Sequence, residues 1–171
     1  QWRTKRACSS LVSMTGRQRG DEVSAWLHDI AAQPLRLFIV AGEHSGDRLG
    51  GRLLEELQQR CSGQLVVAGV GDRDMAVRGM APLFPMDDIA VMGFAAPLFR
   101  LRLILRRIRE TAAAAIDFKP DAVVIIDSPE FTHRVAARIK AAMPDVPVID
   151  YVCPSVWAWR PGRAKVMARH I

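Results

Sequence analysis

The fold is decided by residues 35–51, which have the sequence LRLFIVAGEHSGDRLGG. The apolar residues 35–41 predict a buried strand, and a helix is predicted to begin near Ser45 after the loop formed by residues 42–44. Strand-to-helix junctions of this kind lie at the carboxyl edge of an open α/β sheet, where ligands bind. We therefore expect this loop to form one wall of a functional site.

The rest of the chain alternates between strand and helix patterns. Further strands are predicted at residues 64–70, 121–126 and 146–152, and helices at residues 47–60, 72–80, 97–118, 130–142 and from 155 onward. This alternation predicts an α/β fold, a Rossmann-like parallel sheet with helices on both faces. Residues 122–126 (AVVII) are apolar throughout, as is typical of a strand buried on both faces.

Composition limits the classes of protein that this chain can be. Half of its 171 residues are hydrophobic, so a core can form without disulfides. The three cysteines are far apart and the four histidines show no metal-binding spacing, which favours reduced thiols in a cytosolic setting and no metal site. No apolar run approaches the length of a spanning helix. The net charge of +6 suits an anionic partner, and the absence of nucleic-acid motifs argues against nucleic acid.

The N-terminal region differs from the rest of the chain. Its first 20 residues hold five basic side chains and no acid, and the chain begins with Gln1. A transit peptide and a start at Met14 are alternatives, but we favour a disordered or artefactual extension over residues 1–34. Residues 35–171 would then form a Rossmann-like domain. Since a helix has only just begun where the sequence ends, we expect this domain to be one half of a larger two-domain protein.

Candidate catalytic residues lie at two strand ends. Asp127 follows the apolar strand 122–126, at the same sheet edge as the first loop, and suits a general base. It could instead cap the next helix, but Ser128, Pro129 and Glu130 already supply the first positions of that helix. Asp127 is therefore more plausible as a functional group.

The first loop offers carboxylates rather than a phosphate cradle. Glu43 is not needed for capping and could accept hydrogen bonds from sugar hydroxyls or take part in proton transfer. Ser45 could instead be the N-cap of the helix, and Asp47 could stabilise the positive helix end. His44 could be a base or a donor, although a lone loop histidine is usually neither.

Two further segments suit an amphiphilic substrate. Trp157 and Trp159 beside Arg160 could stack on a sugar ring or contact an acyl chain, or they could simply be core and surface residues. Residues 93–110 carry five arginines and one acid. On a helical projection, one apolar face is formed by Leu98, Leu101, Ile104, Leu105 and Ile108. An arginine stripe lies beside this face and consists of Arg102, Arg106 and Arg109. Two further apolar side chains, Phe99 and Leu103, lie on the far side of that stripe. This pattern suits a helix on an anionic membrane surface, and a solvated basic face is the alternative.

Five motifs together resemble the lipid-A-disaccharide synthase family. They are residues 41–47 (AGEHSGD), 89–94 (IAVMGF), 119–121 (KPD), 126–131 (IDSPEF) and 151–160 (YVCPSVWAWR). The resemblance implies the N-terminal half of a glycosyltransferase B fold. It also implies an enzyme that joins UDP-2,3-diacylglucosamine to 2,3-diacylglucosamine 1-phosphate and releases UDP, with inversion and without a metal or other cofactor. The family often has Pro-Asp-Phe-Asn where this chain has Pro129-Glu130-Phe131-Thr132.

The resemblance also implies roles for individual residues. Asp127 becomes the base that deprotonates the acceptor 6-hydroxyl, and Glu43 lies in the same pocket. The expected substrate-binding residues are Ser45, His44, Asp47, Glu130, Ser155, Trp157, Trp159 and Arg160. The expected membrane-contacting residues are Phe99, Leu103, Arg102, Arg106 and Arg109. We expect a cytoplasmic enzyme, peripheral on the inner face of the inner membrane and homodimeric when full length.

Two other functions remain open. A sugar-nucleotide epimerase or another glycosyltransferase B enzyme acting on a soluble sugar would share the fold but would not need the arginine helix. A non-catalytic membrane-associated module would need only that helix. We expect the 171-residue chain alone to be inactive, because the residues that bind UDP in this fold come mainly from the C-terminal half.

Overall fold

The computed structural model of the protein describes residues 34–60, 65–89 and 98–152. Within them, four strands form one parallel sheet in the order β2-β1-β3-β4. The strands are β1 (Leu35–Ala41), β2 (Leu65–Val70), β3 (Ala122–Ile126) and β4 (Val148–Tyr151). The predicted α/β class with a parallel sheet is confirmed, and the predicted strands are found to within two residues at each end.

The helices of the described residues are α1 (His44–Arg60), α2 (Arg73–Ala76), α3 (Leu98–Phe118) and α4 (Pro129–Ala142), with a 3-10 turn at Met86–Asp88. The helix predicted over residues 72–80 is shorter than expected. Its chain turns after Ala76 and reaches Gly79 with φ 91°, a left-handed conformation that ends a helix. The helix predicted from residue 155 lies outside the described residues.

The two inner strands form the centre of the hydrophobic core. Residues 38–41 of β1 and Val123, Ile125 and Ile126 of β3 are fully or almost fully buried, because both faces of these strands are covered. Leu54 of α1 and Met75 of α2 are also fully buried, as are Ile108 of α3 and Phe131 of α4. α3 and α4 pack against each other, and α4 also packs on β3.

The strand order places a topological switch point between β1 and β3. The chain moves outward from β1 to β2, then crosses back over β1 to β3 and continues to β4. Right-handed crossovers put α1 on one face of such a sheet and α3 and α4 on the other. The chain therefore leaves β1 and β3 toward opposite faces, an arrangement that in such sheets forms a crevice for ligands at the carboxyl edge.

Among the described residues, no helix combines the length and apolar character needed to cross a membrane.

Candidate functional site

The loops after β1 and β3 meet directly at this switch point. The register pairs Ala41 with Ile126, so the next residues, Gly42 and Asp127, face each other across the crevice. The Gly42 N–H donates to the Ile126 carbonyl at 3.2 Å, and the Ser45 hydroxyl donates to Asp127 Oδ2 at 3.0 Å. Asp127 and the first loop thus share one sheet edge, as the sequence predicts.

Gly42 permits this close approach. A Cβ atom at this position would lie 2.2 Å from the Cβ of Ser128, a distance at which one of the two loops must move. The glycine therefore sets the width of the crevice at its floor. A side chain here would separate Ser45 from Asp127.

The turn that carries Asp127 has an unusual backbone. Asp127 and Ser128 both have positive φ, 58° and 44°, which costs about 1–2 kcal/mol for each residue that is not glycine. Such strain persists where surrounding contacts over-determine the conformation, and it concentrates at functional sites. One of these contacts comes from the Thr132 hydroxyl, which donates to the Asp127 carbonyl at 2.9 Å.

Ser128 occupies the N-cap position of α4, but its side chain makes no capping hydrogen bond. The predicted serine cap is therefore corrected, because the left-handed backbone of Ser128 departs from the extended conformation of an ordinary N-cap. The carbonyl of Ser128 instead begins the helix by accepting from Phe131 N at 2.9 Å and Thr132 N at 3.1 Å. Pro129 is the first helical residue, as predicted.

Ser45 also differs from one expectation. The helix α1 begins at His44, so Ser45 lies inside its first turn rather than at the N-cap. Its hydroxyl is directed across the crevice to Asp127 instead of to its own helix. The hydroxyl therefore orients the candidate base.

Asp47 has a role that the sequence did not indicate. It is 3% exposed, and its carboxylate accepts backbone N–H groups from Asp72 at 2.7 Å, Asp74 at 2.8 Å and Met75 at 3.3 Å. Asp47 thus caps the N-terminal end of α2 rather than stabilising its own helix. Both carboxylate oxygens are engaged there, which gives Asp47 a structural role, while its expected contact with the substrate stays a prediction.

Glu43 and His44 lie at the mouth of the crevice. Both side chains are exposed. His44 Nδ1 is 3.1 Å from a carboxylate oxygen of Asp72, and its Nε2 is 3.8 Å from one of Asp87. The structure thus leaves Glu43 accessible to a ligand, whereas His44 lies among carboxylates.

Glu130 is exposed in the first turn of α4, where its carboxylate lies 4.0 Å from Arg134. The predicted substrate-binding residues Ser155, Trp157, Trp159 and Arg160 lie outside the described residues. Their expected role in substrate binding therefore stays a prediction.

Sequence reasoning missed His133 and Asp150, which line a small cavity next to Asp127. His133 comes from α4 and Asp150 from β4, and His133 Nε2 is 3.4 Å from Asp150 Oδ2. Burial raises the pKa of the Asp150 carboxyl, and the nearby His133 opposes that rise. One feature of the sequence could have indicated this pair, namely the single aspartate in the otherwise uncharged strand VIDY.

The arginine stripe of α3 is on the surface. Arg102, Arg106 and Arg109 are exposed, as predicted, but Leu103 is half-buried. Leu101, which the helical projection placed on the buried face, is 47% exposed. Among the described side chains of this face, Ile104 is the first that is buried, so Leu101 is an exposed apolar side chain next to the arginines. The side chain of Phe99 lies outside the described residues.

The chain is similar to known proteins of one family. A family model described as lipid-A-disaccharide synthetase matches residues 37–171. The lipid-A-disaccharide synthase of Nitrobacter hamburgensis is 55% identical over 136 residues, which cover 80% of this chain and 34% of that protein. The synthase of Rhodopseudomonas palustris strain HaA2 is 51% identical over 80% of this chain and 35% of its own length. That of Rhodospirillum centenum is 48% identical over 81% and 35%.

The chain spans about a third of the length of the curated relatives that it matches. The match nevertheless includes the whole described sheet except the first two residues of β1. It therefore includes both loops of the crevice. On the extent of the family match and the identity to these relatives, the chain belongs to the lipid-A-disaccharide synthetase family.

Proposed function

We propose that the chain is the N-terminal, acceptor-binding half of an inverting glycosyltransferase B enzyme of lipid A biosynthesis. The full enzyme joins UDP-2,3-diacylglucosamine to 2,3-diacylglucosamine 1-phosphate and releases UDP. The observation that carries the proposal is the hydrogen bond from Ser45 to Asp127 Oδ2 at the switch point. It fixes a carboxylate where a parallel α/β sheet binds its ligand.

In this proposal Asp127 is the general base. It accepts the proton of the acceptor 6-hydroxyl while that oxygen attacks C1 of the donor sugar. The new C1–O6 bond forms on the face opposite the breaking C1–O bond to UDP, which leaves with the bonding electron pair. Since Ser45 holds Oδ2, we assign proton transfer to Oδ1 of Asp127.

Glu43 contributes to acceptor binding. Its exposed side chain follows Gly42, the residue that forms the floor of the crevice. A carboxylate at this place accepts hydrogen bonds from sugar hydroxyls and orients the acceptor ring. The proton transfer itself remains with Asp127, because Asp127 is the carboxylate held by a hydrogen bond across the crevice.

The exposed arginines of α3 support a lipid-facing surface. Arg102, Arg106 and Arg109 are exposed, and Leu101 next to them is nearly half exposed. Cationic side chains beside an apolar one suit the headgroup region of an anionic bilayer. We place the enzyme on the cytoplasmic face of the inner membrane, where diacylated substrates are accessible from this surface.

The proposal is tested with Asp127→Asn in a full-length enzyme that carries this segment. We expect kcat for UDP release to fall at least a thousandfold with little change in Tm, because the amide keeps the shape but accepts no proton. Asp117→Asn is the matched control, since Asp117 is exposed in the last turn of α3. Turnover by Asp127→Asn at the level of this control would refute the assignment of the base.

A further inference from the structure

A polar cavity lies on the β4 side of the Asp127 turn. It has a volume of about 10 Å³, close to the smallest cavity that can hold one water molecule. Three titratable side chains line it, each from a different element: Asp127 from the β3–α4 turn, His133 from α4 and Asp150 from β4. Pro129, Thr132 and Val152 complete the lining.

Two of these side chains form a buried pair, which is an ion pair when His133 is protonated. The side chains of His133 and Asp150 are only 8% and 7% exposed, and their nearest polar atoms are 3.4 Å apart. Removing two ionisable groups from water costs several kcal/mol for each ion, and their attraction does not reliably offset this cost. Apolar residues in place of a buried pair such as His133 and Asp150 often leave the stability of a protein unchanged or raise it. A role other than stability is therefore indicated.

The position of the pair suggests what that role is. His133 directly follows Thr132, whose hydroxyl holds the carbonyl of Asp127. Asp150 lies on β4 beside β3, where it pairs in register with Ile125, two residues before Asp127. The pair therefore connects the first turns of α4 with β4, next to the strained backbone at Asp127 and Ser128.

We propose that His133 and Asp150 are positioning residues that fix the carboxylate of Asp127 through the polar cavity. Ser45 restrains this carboxylate from the α1 side, and the ion pair restrains it from the β4 side. The inference rests on the proposed role of Asp127 as the base. It adds that the polarity of the pair, and not only its bulk, determines the orientation of that base.

The experiment separates polarity from packing in the full-length enzyme. His133→Asn and Asp150→Asn each break the ion pair, and we expect each to lower kcat about tenfold, with KM unchanged. His133→Phe combined with Asp150→Leu replaces the pair by apolar side chains. We expect the single variants to have a lower Tm than the parent enzyme, and the double variant to have the Tm of the parent. We expect kcat of the double variant to remain about tenfold below that of the parent.

Recovery of kcat together with Tm in the double variant would overturn the proposal, since the pair would then serve packing alone. Unchanged kcat in both single variants would overturn it as well. Arg36→Met is the control for a general loss of stability. It removes a guanidinium that donates to the Phe118 carbonyl at the opposite end of the sheet, so Tm should fall without a change in kcat.

Failure of the positioning role can be distinguished from failure of the proposed function. If Asp127→Asn keeps its activity, the assignment of the base fails, whatever the ion-pair variants do. If Asp127→Asn is inactive while the ion-pair variants turn over normally, only the positioning role fails.

Discussion

The hydroxyl of Ser45 donates a hydrogen bond to Asp127 Oδ2 at 3.0 Å, across 82 positions of sequence. The two residues reach each other because β1 and β3 are adjacent parallel strands that end in register. A hydrogen bond to a charged acceptor contributes about 1.5–3 kcal/mol. One carboxylate oxygen of Asp127 is thereby held by the first turn of α1.

Removing the Ser45 hydroxyl should slow turnover. We expect Ser45→Ala to lower kcat about tenfold in the full-length enzyme, since a barrier increase of about 1.4 kcal/mol corresponds to that factor. Ser45→Thr retains the hydroxyl and should recover most of the rate. UDP release at saturating substrate measures both variants. Equal rates for Ala and Thr would show that the hydroxyl does not orient the base.

Removing the Asp47 carboxylate should reduce stability. We expect Asp47→Ala to lower the free energy of unfolding by about 3 kcal/mol, because the buried N–H group of Met75 and the partly buried N–H groups of Asp72 and Asp74 lose their acceptor. Urea unfolding followed by circular dichroism measures the loss. Asp87→Asn is the control, since that side chain is 89% exposed and should change stability by less than about 0.5 kcal/mol. A similar small effect for Asp47→Ala would contradict the capping role.

Neutralising the arginine stripe should weaken membrane binding. Each arginine near an anionic surface contributes about 1 kcal/mol, so the triple replacement of Arg102, Arg106 and Arg109 by Gln should weaken binding about a hundredfold. Flotation with vesicles of phosphatidylcholine containing phosphatidylglycerol measures this.

The control for this experiment is a second triple variant of equal charge, with Gln at Arg48, Arg52 and Arg60. These residues are exposed on α1, which the crossovers place on the other face of the sheet. Equal loss in the two variants would indicate a general charge effect. Absence of binding by the parent enzyme would favour the alternative of a soluble sugar substrate.

The sequence was sufficient for the sheet and for the location of the crevice. Strands such as residues 122–126 consist only of apolar residues, and the change to a glycine-containing loop after Ala41 marks the strand end clearly. Since parallel strands end at a common edge, the proximity of Asp127 to the first loop follows from the class of fold.

The side-chain partners could not be predicted in the same way. The hydrogen bonds of Asp47 depend on where the loop after β2 returns, and a carboxylate in a first helical turn fits its own helix equally well. The ion pair of His133 and Asp150 joins a helix and a strand, and no spacing in the sequence links these two residues. The orientation of α3 was misjudged at Leu101 because a helical projection does not show at which turn the burial begins.

The first turn of α1 is held from two directions, by Ser45 on the Asp127 side and by Asp47 on the α2 side. Residues 43 and 44 lie between Ser45 and Gly42, whose N–H donates to the Ile126 carbonyl. In the proposed function, the acceptor sugar would therefore meet a rim that is already ordered. Conformational freedom at this rim is lost when the protein folds rather than when the ligand binds. In the proposed function, affinity for the acceptor would therefore not be diminished by a need to order this part of the chain.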